Sequence, residues 1–235
     1  MNALRATLRG FGEICITAGL VLLLFVVWQL WWTDVTAAHA QSQQTEQLQK
    51  EWADLPPHPS PSSTATPTSP ATPTKLKEIP LGDAFALIRV PRFGHGYVRP
   101  IIEGTSLDVL DRGVGHYADS AKPGAVGNFA VAGHRVTYAK PFNRIDELKV
   151  GDPVVVETAD TWYVYRVVGH EVVTPDRVDV VAPVPEHPGQ KPTERMMTMT
   201  ACHPKFSARQ RYVVFSKLEQ KIAKSPGVVP DVLRG

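Results

Sequence analysis

Two cysteines occur in the 235 residues. Cys15 sits in an apolar N-terminal run, and Cys202 sits in "TMTACHPKFSARQRYVVF". A thiol among polar residues and arginines has three uses: core filler, metal ligand or nucleophile. Side chains in a strand alternate between faces. In "MTMTAC", Met197, Met199 and Ala201 therefore share one face, and Thr198, Thr200 and Cys202 share the other. The apolar set belongs in a core, so Cys202 points away from it at a strand end. That weakens the filler reading, the ordinary fate of a free cysteine. A thiolate nucleophile works with an acid or base and with a donor to the oxyanion that develops during attack. The loop "HPKFSARQ" is short enough for the strands on either side to be antiparallel neighbours. Arg211 then enters its strand beside the point where Cys202 leaves. There it can favour the thiolate or bind an oxyanion. A surface ion pair is its plainer use, and Lys205 and Arg209 are rival cations in the same loop.

The acid or base has eight histidine candidates. His39 and His58 fall in the polar N-terminal region, and His187 lies in a Pro-rich loop. His203 adjoins Cys202, but neighbours in an extended chain point apart. His95, His116 and His170 flank expected strands. His134 ends "GNFAVAGHR", where Asn128, Ala130, Ala132 and His134 share a face opposite Phe129 and Val131. Small residues leading to a histidine at a strand end suit the floor of a groove. A capped surface histidine is the plainer alternative. Cys202, His203 and His134 do not make a convincing metal site, because no paired C-x-x-C or H-x-x-H spacing is present.

The elements that must position these groups are mostly strands. Residues 84–91, 98–104, 127–134, 152–173, 195–202 and 211–218 are rich in Val, Ile, Thr and aromatics and are punctuated by Gly, Pro and Asp. The stretch 152–173 reads as a hairpin turning at Thr158–Thr161. Short helices are expected over 106–113 and 142–151. Many short strands with few helices argue for a closed β-barrel or a sandwich.

Ahead of this domain, Ile14 to Trp32 carry no charge. As a helix they rise about 28 Å, close to a hydrocarbon core of about 30 Å. Trp28, Trp31 and Trp32 mark one end, and Arg5 and Arg9 precede the other. The expectation is a single-pass anchor with its N-terminus cytoplasmic and the rest of the chain outside. Ala38-His39-Ala40 offers a signal-peptidase pattern, but the apolar run is longer than the usual h-region of about 7–15 residues. "PPHPSPSSTATPTSPATPT", residues 56–74, is expected to be an extended spacer able to reach about 60 Å. Lys and Arg total 25 against 23 for Asp and Glu, so nothing suggests nucleic-acid binding. The expected organisation is a cytoplasmic segment 1–13, an anchor 14–33, a stalk and linker 34–78, a catalytic domain 79–218 and a tail 219–235.

"LDRGVGHYADSAKPGAVGNFAVAGHR" followed by "TMTACHPKFSARQR" resembles the sortases, and most of all the class E sortases of high-GC Gram-positive actinobacteria. The resemblance covers roughly residues 81–218, with the methionine-rich "RMMTMT" as a departure. It implies a mainly β fold, a closed eight-stranded barrel, and transpeptidase activity without metal or cofactor. It implies His134, Cys202 and Arg211 as the catalytic residues. Thr200 and Ala201, which lead into the thiol, are candidate substrate contacts. The implied partners are secreted proteins with a C-terminal sorting signal of the Leu-Ala/Pro-x-Thr-Gly type, and an amine on a peptidoglycan precursor or a pilin. Papain-like peptidases place Cys before His, the reverse of the order here. A membrane-tethered, non-catalytic β-barrel binding module explains the anchor and the strands but leaves the three polar residues without a use.

Overall fold

A computed structural model describes residues 2–54 and 79–234. The Pro/Ser/Thr-rich run 56–74 lies outside the described residues. The chain holds no proline before Pro56. A single helix, α1 (Asn2–Ala53), runs up to that point. Its apolar stretch is exposed and is long enough to cross a membrane. Beyond it, Ala37, Gln41, Thr45 and Leu48 are buried. Their spacing of three and four residues makes one stripe, which packs against the first two strands and the short second helix.

Eight strands follow: β1 (Ala84–Arg89), β2 (Val98–Glu103), β3 (Val114–His116), β4 (Gly127–Ala132), β5 (Pro153–Glu157), β6 (Thr161–Val173), β7 (Arg195–His203) and β8 (Gln210–Ala223), with α2 (Leu107–Arg112) between β2 and β3. They form a closed barrel in the order β1-β2-β3-β4-β7-β8-β6-β5. β2–β3 and β4–β7 are parallel. The other pairs are antiparallel. Alternation sets the core. Phe129, Val131, Met197, Met199, Ala201, Tyr165 and Val214 fill the barrel. Met197 and Met199 are fully buried, and their unbranched side chains suit an irregular interior.

The β5–β6 hairpin turns where expected, with Thr158 N–H donating to Thr161 O at 2.9 Å. Two expectations change, and one strand is unanticipated. The stretch 142–151 forms only a single 3₁₀ turn, Ile145–Glu147, because Phe142, Ile145 and Leu148 anchor it at a three-residue spacing. β3, three residues long, gives too little pattern to read. Its Gly115 lies so close to β2's end that a Cβ would sit 2.5 Å from Gly104 O. The expected tail begins inside β8, which pairs along the length of β6 until Ala223 meets Thr161. Val232 and Leu233 then pack on Val155, Trp162 and Val164.

Candidate active site

β4 and β7 run parallel until Ala132 faces Thr200. Gly133 N–H then donates to Thr200 O at 3.1 Å. The next residue of the first chain is His134, and two residues past Thr200 is Cys202. On its other side Cys202 pairs in register with Arg211 of β8. Adjacent strands lie about 4.8 Å apart, so three neighbouring strand ends bring together the His, the Cys and the Arg. Gly133 is needed for the approach, since a Cβ there would meet the Phe142 ring at 2.7 Å.

Each group has its own holder. His134 is about one-fifth exposed, and its Nε2 lies 3.2 Å from Asp111 Oδ1 at the end of α2. Its ring packs 5.0 Å from that of Tyr138. Tyr138, Ala139 and Lys140 all take positive φ, and α1 holds this turn. Gln41 Nε2 donates to Tyr138 O at 3.1 Å. Asp34 accepts from Ala139 N–H at 3.3 Å and pairs with Lys140 Nζ at 2.6 Å. Cys202 is a half-buried free thiol. Arg135, almost wholly buried, donates to Cys202 O at 3.4 Å and to His203 Nδ1 at 2.7 Å, and pairs with Asp146 at 2.7 Å. It therefore fixes the strand end that carries the thiol. Arg211 turns its Nη1 to Ala208 O and Gln210 O, at 2.9 and 3.0 Å.

Two of the other histidines near the strands are committed elsewhere. His203 is engaged by Arg135. His116 is fully buried, with Nδ1 2.8 Å from Glu103 and Nε2 3.0 Å from Ser120 Oγ and 3.1 Å from Ala121 O. Lys122 Nζ reaches the same Glu103 carboxylate at 2.7 Å. Burial alone would raise the Glu103 carboxyl, but hydrogen bonds from His116 and Lys122 outweigh it and hold the group below the usual carboxylate range.

Ala130, Ala132, Thr198 and Thr200 share the outer face of the barrel with Cys202. Asn128 accepts from Thr198 Oγ1 at 2.9 Å and donates to Ala182 O at 3.0 Å, tying the β6–β7 loop to this floor. A cleft of about 620 Å³ runs between that loop, the residues after β2 and the residues after β3. Its lining includes Tyr117, Ser120 and Val181 but does not reach Cys202. Tyr117 OH stands 3.4 Å from Thr200 Oγ1 and joins the two regions. Thr200 therefore lies between thiol and cleft. Ala201 does not: it is 3% exposed and packed in the core, on the opposite face from Thr200, so its side chain is no substrate contact.

The barrel and its edge constellation define a class of cysteine-bearing β-barrel. A model of the sortase domain matches residues 88–219. Sortase SrtE1 of Streptomyces coelicolor is 42% identical over 234 residues; the match covers 96% of this chain and 60% of that protein. The chain thus spans less than two thirds of the length of that relative. SrtE2 of the same organism is 36% identical, over 88% of this chain and 80% of its own. Among solved structures, sortase E from Streptomyces avermitilis is 38% identical with a TM-score of 0.60, covering 66% of this chain and 100% of that one. Sortase E1 from Streptomyces coelicolor, with a tripeptide in its active site, is 42% identical with a TM-score of 0.59, covering 65% and 97%. The chain belongs to the sortase family.

Proposed function

We propose that this protein is a membrane-anchored cysteine transpeptidase acting on secreted proteins with a C-terminal sorting signal of the Leu-Ala/Pro-x-Thr-Gly type. The observation that carries the reading is the placing of Cys202 between the strand ends of His134 and Arg211. The Cys202 thiolate attacks the Thr carbonyl carbon. Arg211 leaves its loop carbonyls and donates to the oxyanion. The tetrahedral intermediate collapses to a thioester as the C–N bond breaks, and His134 gives a proton to the departing Gly amine. An incoming amine, from a peptidoglycan precursor or a pilin, attacks the thioester, gives up a proton to His134 and releases the Cys202 thiolate. Asp111 orients the imidazole, and the cleft beyond Thr200 and Tyr117 takes signal residues upstream of Thr. α1 crosses the membrane with its N-terminus cytoplasmic and the barrel outside.

The test is incubation of the purified protein with a library of Leu-x-x-Thr-Gly peptides and an amine, read by mass spectrometry. Cleavage between Thr and Gly with transfer to the amine is expected, and a thioester on Cys202 should be trapped in its absence. Transfer that persists in Cys202→Ala would defeat the assignment. Protease added to intact protoplasts should digest or release the barrel; protection until lysis would reverse the topology.

A further inference from the structure

We infer that the β7–β8 loop is a membrane-contact surface, seating Phe206, Lys205 and Arg209 in an anionic headgroup layer so that the mouth of the site faces the bilayer. This rests on α1 being the anchor. The helix fixes the height of the barrel at two points. At Asp34, just past Trp31 and Trp32, it grips the 138–140 turn through Ala139 N–H and Lys140. At Trp52, the indole lies 4.4 Å from Lys224 Nζ, one residue past the far end of β8. Eighteen residues of helix separate the two grips, a rise of about 27 Å. The 134–140 turn is therefore the end beside the span, and Lys224 is the end away from it.

β8 runs from the near end to the far end, with Arg211, opposite Cys202, near its beginning. The loop 203–209 leads onward from Cys202 on the near side. It is tied to the His134 turn by Arg135 to His203 at 2.7 Å and by Lys205 Nζ to Asn143 Oδ1 at 3.4 Å. At its tip Phe206 is 89% exposed, more than any described large apolar residue of the span, and takes φ 65. Such a φ is an outlier for a bulky side chain, and it leaves the ring unpacked. Arg209 is exposed and has no acidic partner among the described residues. The carboxylates of this region are already taken: Asp146 by Arg135, Glu147 by Arg144 and Asp111 by His134. An aromatic tip flanked by cations that pair with no carboxylate among the described residues suits the boundary between acyl chains and anionic headgroups. A soluble acidic partner would use the cations but give the bare ring no apolar seat.

The test uses the full chain in lipid nanodiscs, with nitroxide labels on single cysteines and power saturation by oxygen and by an aqueous nickel chelate. One sample keeps Cys15 and carries Cys202→Ala. Two more carry Cys15→Ser and Cys202→Ala, with either Phe206→Cys or Ser225→Cys. With phosphatidylglycerol present, the label at 206 should show several-fold less nickel contact and more oxygen contact than the label at 225. Phosphatidylcholine alone, or Lys205→Glu with Arg209→Glu, should weaken the contrast. If the Cys15 label lies in lipid while 206 matches 225, the loop proposal is wrong and the anchor stands. If the Cys15 label is aqueous, both fall. Spin–spin broadening between copies at 206, without oxygen contact, would assign the loop to a second copy and overturn the membrane contact.

Discussion

Arg211 is the residue whose present contacts and proposed role differ most. Its guanidinium rests on Ala208 O and Gln210 O while its backbone lies across from Cys202. A planar fork can exchange carbonyls for an oxyanion, and a lysine ammonium cannot match that geometry. Arg211→Lys should therefore lose about 10²–10³ in rate and keep its melting temperature; near-normal turnover would shift the role to Arg209 or Lys205. Asp111→Asn should leave Cys202 open to alkylation while lowering transfer and distorting the pH–rate profile, because His134 loses the carboxylate that orients it. A profile that only scales down would make Asp111 a structural residue. Strand alternation was enough to read Cys202 outward and Met197, Met199 and Ala201 inward. It could not reveal Asp111, whose partner is 23 residues away and depends on where α2 ends. Nor could it show that Arg135, beside the histidine, is the cation that grips the cysteine's strand.

At the scale of elements, the proposed mechanism makes the contact between α1 and the His134 turn a positioning contact. Three successive residues at positive φ are costly, and Asp34 and Gln41 help hold them. Asp34→Ala should lower kcat about tenfold, the equivalent of roughly 1.4 kcal/mol in the barrier, with KM little changed; Asp34→Glu should recover much of it. An equal loss in both variants, or a loss confined to KM, would contradict a positioning role. The strands were legible where they were long and alternating. β3 was not, having only three residues, and neither was the packing of α1. Residues 41–54 are too polar to announce a buried face, and the stripe that docks uses Ala37, Gln41 and Thr45 as much as Leu48.

For the whole molecule, the buried His116–Glu103–Lys122 cluster contributes to the response to acid. The folded Glu103 carboxyl binds its proton less readily than the unfolded one, whose ordinary value is 4.5. Its stabilising effect is complete above that value and is lost as pH falls through the lower, folded one. Urea midpoints should drop across that window. Glu103→Gln should cost about 3–5 kcal/mol near neutrality, as expected for one partner removed from a buried charged cluster, and should flatten the acid limb. An acid limb unchanged by the substitution would place the sensitivity elsewhere. The barrel order has a further consequence in time. A chain is made from its N-terminus, yet β8, the last strand, lies between β7 and β6 in the finished sheet. Until it is inserted, β6 and β7 each present an open edge, and Arg211 has no place beside Cys202. A partly synthesised chain thus carries the thiol and the histidine without the arginine beside them, and chemistry waits for the ring of strands to close.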